Sequence, residues 1–195
     1  MIRRVKNFLV WLWRRLPDLW LTIIVAVILA ALFSAATLTP MSGAEAESVQ
    51  EFISSYLAQD LATRIFLNNF VVALIGEIPF LGLPILGYVV YNSGRFVGWH
   101  LAEFGFNLQM VLSLVFATTF LSGYGLLEFM GYALSATKSI QVSRRLAKAL
   151  LRKERVDGGR VVEECGATLL AAAIFLALGA CIEAYFIESL TLPKP

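Results

Sequence analysis

Apolar residues fill five stretches of this chain, 18–39, 61–80, 83–101, 107–137 and 161–187, and each is near or above the ~20 residues that a helix needs to cross a hydrocarbon core. The stretches alternate with short amphipathic or strongly polar segments. The pattern predicts an all-α fold, a polytopic integral membrane helical bundle of about five spans with interfacial amphipathic helices. A single transmembrane domain covers 1–195.

The connecting segments carry the orientation. In 1–17, Val5, Phe8, Leu9, Leu12 and Leu16 recur at helical spacing beside Arg3, Arg4, Lys6, Arg14 and Arg15, with Trp11 and Trp13 among them and Trp20 just beyond. That is a basic helix suited to the inner membrane surface. The run 18–39 has no clean small-residue cleavage site before Pro40 and reads as an uncleaved first span. Segment 40–63 holds Glu45, Glu47, Glu51 and Asp60 with no Lys or Arg. Its Ser42 and Glu45 have capping-box spacing ahead of an apolar stripe at Val49, Phe52, Ile53, Tyr56, Leu57 and Leu61. An amphipathic helix on the outer face follows.

Segment 138–160 holds eight cations, Lys138, Arg144, Arg145, Lys148, Arg152, Lys153, Arg155 and Arg160, against Glu154 and Asp157. Positive-inside bias makes it a basic cytoplasmic helix ended by Gly158 and Gly159. Glu163 and Glu164 then open the last span, where acids suit a helix N-terminus. An odd number of spans must join an outer 40–63 to an inner 138–160, so three fit there and five overall. The expected protein is a multi-pass cell-membrane protein with a cytoplasmic N-terminus and an outer C-terminus.

Composition supports this class: 58% of the 195 residues are hydrophobic, 15% are charged, and the mean hydropathy is +0.75. Soluble globular domains lie well outside those values. Cys165 and Cys181 stand sixteen residues apart in one expected helix, roughly 24 Å at ~1.5 Å per residue, too far for a disulfide. One histidine and two cysteines without metal-ligand spacing give no metal site. No phosphate-binding loop and no nucleophile with a plausible histidine–carboxylate arrangement is visible, so the reading is non-enzymatic, with no cofactor and no nucleic-acid partner.

Polar residues interrupt the spans. Asn68, Asn69, Glu77, Asn92, Arg95, Glu128 and Glu183 lie in apolar surroundings, where an ionised side chain costs at least ~2.5–3.5 kcal/mol. They must face protein, water or ligand, as an intramembrane polar cluster. Glu77, Glu128 and Glu183 form either a polar cavity for a proton, ion or small solute, or a set of interhelical hydrogen bonds. At the outer end, His100, Glu103 and Asn107 can share one helical turn as a hydrogen-bonded group. Pro79, Gly82 and Pro84 break the connection after Glu77, which must be tucked into protein or lie at the surface. Gly123, Gly125 and Gly131 suggest a break or close packing within 107–137.

Several pieces in order resemble the stage II sporulation protein M family. They are Phe66 to Phe70 around Asn68 and Asn69 with Ala73 and Gly76, then Gly87 through Asn92 and Gly94 to Gly98. Next come Gly123 to Phe129 around Glu128, and last Ala180 to Phe186 around Glu183. The resemblance covers roughly residues 60–190. One departure is that the family tends to place His-Gly ahead of the glutamate at 128, where this chain has Tyr124 and Gly125; Tyr124 still offers a hydrogen bond.

The resemblance implies a non-enzymatic scaffold or core subunit of a membrane-remodelling or envelope assembly. The alternative is a small permease or channel component for an ion or polar solute. Expected partners are membrane lipid and a homo-oligomer or larger membrane protein complex. Arg144, Arg145, Lys148, Arg152 and Lys153 offer the lipid or partner contact. The spacing from Gly94 to Gly98 suits close helix approach in such an assembly.

Overall fold

The computed structural model describes residues 2–56, 60–117 and 123–191, which form eight α-helices and no strand. They are α1 (Ile2–Trp13), α2 (Leu19–Ala36), α3 (Gly43–Tyr56), α4 (Leu61–Gly76), α5 (Gly82–Glu103), α6 (Leu108–Phe116), α7 (Tyr124–Arg152) and α8 (Gly158–Thr191). The side chains of Arg3 and Arg4, and those of Phe52, Ile53, Tyr56 and Leu57 in the expected outer stripe, lie outside the described residues.

α7 stands at the centre, packed against α8, α2, α4 and α5, while α4 also packs on α8 and α2 on α5. Small residues make this possible: Ala73, Ala133, Ala136 and Ala172 are fully buried, so backbones approach closely around Leu29, Leu86, Phe129 and Leu176. Gly94 and Gly98 carry the α2–α5 contact. A Cβ at Gly94 would lie 2.4 Å from the Phe33 carbonyl oxygen, and one at Gly98 would lie 2.0 Å from that of Thr37. The glycine pair read as a surface for other molecules is therefore spent inside the chain, because α2 fills it.

α2 and the Gly158–Ile187 part of α8 are the two helices long and apolar enough to cross a membrane among the described residues. Their outer faces stay apolar and uncovered at Trp20, Ile24, Val27, Ile28, Ile174 and Leu178, as lipid contact requires and water penalises. The protein is membrane-associated. α4, with 16 residues, is apolar but shorter than a span.

The stretch 107–137 is interrupted, as its glycines suggest: α6 has nine residues, and α7 begins after Gly123, whose φ of 82° only glycine adopts at low cost. Two boundaries differ from expectation. The basic segment 138–160 is not a separate helix, because α7 runs on without a break to Arg152. Its end is Lys153, left-handed at φ 55°, and Gly158 and Gly159 open α8 instead of closing the basic helix. Charge marks where a helix leaves apolar surroundings, not where its hydrogen bonds stop.

Local signals hold where they are short-range. Ser42 and Glu45 form the reciprocal capping box: the Ser42 N–H donates to Glu45 Oε2 at 3.0 Å and the Glu45 N–H to Ser42 Oγ at 3.3 Å. Asp18 caps α2 by accepting from the Leu21 N–H at 2.8 Å. The proline-broken connection between α4 and α5 is tucked against α7. Ser139 Oγ donates to the Ile78 carbonyl at 2.7 Å, and the Phe80 N–H donates to Ser143 Oγ at 2.7 Å. Those bonds tie the connection to α7 on both sides of Pro79, next to a Phe80 with a left-handed φ of 66°.

Candidate functional site

A polar cluster lies between α4, α7 and α8, with Asn69 and Tyr132 buried and Glu128 and Glu183 half-buried. Asn69, on the buried face of α4, donates its side-chain amide to Glu128 of α7 and accepts the Tyr132 hydroxyl at 2.7 Å. Tyr132 lies four residues after Glu128, one helical turn along the same face. Glu183 of α8 lies against the Glu128 carboxyl, close enough for the two to interact. Gly179 permits the approach: a Cβ there would meet Glu128 Cγ and the Tyr124 carbonyl oxygen, both at 3.3 Å. Asn68, exposed beside the cluster, donates to Asn69 Oδ1 at 3.5 Å.

The other members of the expected intramembrane set lie elsewhere. Arg95 of α5 donates from Nε and Nη2 to the Pro40 carbonyl at 3.1 and 2.7 Å, and reaches Glu45 Oε2 at 3.3 Å. Asn92 accepts from Arg95 at 3.3 Å and donates to the Tyr88 carbonyl at 2.9 Å. This pair ties α5 to the turn between α2 and α3. The Ser42 N–H and hydroxyl and the Arg95 guanidinium together hold the Glu45 carboxyl below its usual range. Glu77, 7% exposed, sits at the far end of α4 against the Cys165 thiol, and its Oε1 has no hydrogen-bond partner.

His100, Glu103 and Asn107 do not form a group. His100 stacks on Phe96 at 5.9 Å and meets the edge of Phe104 at 4.9 Å, while Glu103 is the exposed last residue of α5. Gly105, at φ 77°, turns the chain before Asn107, which caps α6 by accepting from the Met110 N–H at 3.0 Å. Among the described residues no three His, Cys, Asp or Glu side chains gather where a metal could be held. Cys165 and Cys181 are free thiols.

A second centre was not singled out from the sequence. Glu164, near the start of α8, receives Arg145 at 2.6 Å, Arg160 at 3.1 Å and Lys138 at 3.5 Å. Lys138 is 1% exposed and also donates to the Arg15 carbonyl at 3.1 Å. The neighbouring Glu163 takes Arg15 at 2.6 Å and the Trp11 indole N–H at 3.1 Å, with the Arg15 guanidinium 4.7 Å above the Trp11 ring. These contacts join α1, α7 and α8 at one end. The Arg160–Glu164 spacing of four was a readable signal for one of them. Of the five cations expected to meet lipid or partner, Arg145 is thus engaged in part; Arg144, Lys148, Arg152 and Lys153 are exposed.

An apolar outer surface on α2 and α8, around a carboxyl pair held between α7 and α8 beside Asn69, defines a helical membrane protein. A family model described as stage II sporulation protein M matches residues 19–186, and the chain belongs to that family. The match begins with α2 and ends within α8, so it takes in Asn69, Glu128 and Glu183 and leaves out α1. No curated protein and no solved structure matches the chain.

Proposed function

We propose that this protein is a non-enzymatic, multi-pass scaffold or core subunit of a membrane-remodelling or envelope assembly. The observation that carries this reading is the hydrogen-bond chain from Tyr132 through Asn69 to Glu128, with Glu183 against Glu128. Polar groups that spend their hydrogen bonds on one another hold their helices in one arrangement. In this reading α2, α4, α5, α6 with α7, and α8 make five passes. The end that gathers Arg15, Lys138, Arg145 and Arg160 is cytoplasmic, and α3 and the C-terminus are outside. The charge asymmetry between 138–160 and 40–63 supports that orientation. Membrane lipid and further protein subunits are the proposed partners. Their contact surface cannot be the Gly94–Gly98 face, which α2 fills.

A small permease is the second reading, favoured by Glu77, whose Oε1 is buried without a partner, as are Ser135 Oγ and Thr137 Oγ1. Buried unsatisfied groups of this kind suit water or a solute. The test is the mass of the purified particle in mild detergent together with solute flux in proteoliposomes. A scaffold gives an oligomer of the 21.5 kDa chain or a complex with other subunits, and no flux that depends on Glu128. A strictly monomeric particle with Glu128-dependent flux would establish the permease instead.

A further inference from the structure

The turn between α7 and α8 encloses an open cavity of about 420 Å³ whose charged lining is Arg145, Lys148, Glu154, Arg155, Asp157 and Arg160. Four cations face two acids there. Arg145 and Arg160 each give one nitrogen to Glu164 and keep other N–H donors, since a guanidinium has five in a planar fork. Glu164 thereby ties down two guanidinium groups of the cavity's lining. Lys148 and Arg155 enter no ion pair among the described residues. The result is two preset guanidinium groups and two unengaged cations around a space large enough for a phosphate ester.

Apolar residues complete the site. Ala149, Val156 and Val161 make up the rest of the lining, and Leu150, Leu151 and Val162, neighbours of Ala149 and Val161 in the chain, are 78%, 86% and 72% exposed. A free phosphate gives those side chains nothing to bury against. A phospholipid does, because its acyl chains cover apolar surface directly beside its headgroup. Arg144, Arg152 and Lys153, although as basic, do not line the cavity.

We infer that the α7–α8 turn is a binding site for the phosphate headgroup of an anionic phospholipid, held by Lys148, Arg155 and the outward N–H groups of Arg145 and Arg160. This rests on the orientation proposed above, which places the turn on the cytoplasmic leaflet. It narrows the lipid contact from a general basic surface to one pocket.

The full chain in a neutral detergent, titrated with phosphatidylglycerol and read by native mass spectrometry, tests the site. Phosphatidylcholine and glycerol 3-phosphate are the comparison ligands. Lys148→Gln with Arg155→Gln should weaken phosphatidylglycerol retention by roughly tenfold or more, given that each lost charge near a membrane surface matters at the ~1 kcal/mol level. Arg144→Gln with Arg152→Gln and Lys153→Gln, which removes more charge, should leave retention within about twofold, because those groups lie outside the pocket. Thermal melting of both variants, expected to be unchanged, separates lost binding from lost folding. Equal weakening by the two variants would reduce the site to diffuse electrostatics and overturn the inference. Glycerol 3-phosphate binding as tightly as the lipid would assign the pocket to a soluble phosphate ester. Retention of phosphatidylcholine equal to that of phosphatidylglycerol, or loss of a co-purifying acidic protein with no change in lipid, would also overturn it. None of these outcomes bears on particle mass or solute flux, so this site and the scaffold reading fail separately.

Discussion

The ammonium of Lys138 lies 3.5 Å from the carboxylate of Glu164, and both side chains are almost wholly shut off from solvent. The pair is lopsided, since Glu164 holds three cations and Lys138 has Glu164 and one carbonyl. Glu164→Ala should therefore cost about 3–5 kcal/mol, because it strands a buried charge. Lys138→Met should cost much less, since Glu164 keeps both arginines. Thermal denaturation in detergent measures both, and the account fails if Lys138→Met is as damaging as Glu164→Ala.

Glu128→Ala leaves the Asn69 amide without its acceptor and Glu183 without its partner. The expected loss is about 1–3 kcal/mol, more than for the exposed Glu45→Ala. Glu128→Gln should be milder, and Tyr132→Phe should remove roughly 1 kcal/mol, the net worth of one hydrogen bond. A Glu128→Ala protein that melts unchanged would mean that the cluster does not hold the bundle together.

Gly98→Ala places a methyl group into the backbone of α2, so α2 and α5 must separate. We expect destabilisation of about 1–3 kcal/mol or more, as for overpacked cores. Gly166→Ala meets nothing within 4 Å and should stabilise by up to ~1 kcal/mol through helix propensity. Neither change should alter particle mass. A Gly98→Ala protein that keeps its melting temperature and loses its oligomeric state would return the glycine face to intermolecular use.

Orientation is tested by single cysteines at the exposed positions Ser48, Glu154 and Ser189, with Cys165 and Cys181 replaced. An impermeant thiol reagent applied to intact cells should label the first and third. Labelling of the second would invert the proposed topology.

The Glu45 carboxyl is held below its usual range in the folded protein. Its contribution is therefore present above the ordinary carboxylate range and lost as pH falls through the lowered folded value. Acidification should release the start of α3 from Arg95, seen as faster amide exchange at Glu45 and Ala46. In Glu45→Gln that exchange should lose its pH dependence beyond the intrinsic change.

How much of this is legible in the sequence depends on range. The Ser42–Glu45 box spans three residues and is read directly. The break at Gly123 is legible for the same reason, as only the local backbone is involved. Convergence of seven polar residues is not. Periodicity places Asn92 and Arg95 inside an apolar run but says nothing of their depth, and they face the α2–α3 turn while Glu77 lies at the other end. Tyr132 escapes notice because an aromatic in an apolar helix reads as packing. The Glu164 centre draws Lys138 and Arg145 from another helix, and only their joint burial reveals it.

The Gly94–Gly98 groove also bears on how the protein is made. Ribosomes deliver α2 before α5 and α7, yet the surfaces that receive it belong to those two helices. This apolar segment must therefore wait in the insertion machinery or in lipid until α5 arrives, and the carbonyls of Phe33 and Thr37 meet their glycines only then. Chain order and packing order are opposed, so a nascent chain stalled before α5 presents an unpaired α2 as a substrate for membrane quality control.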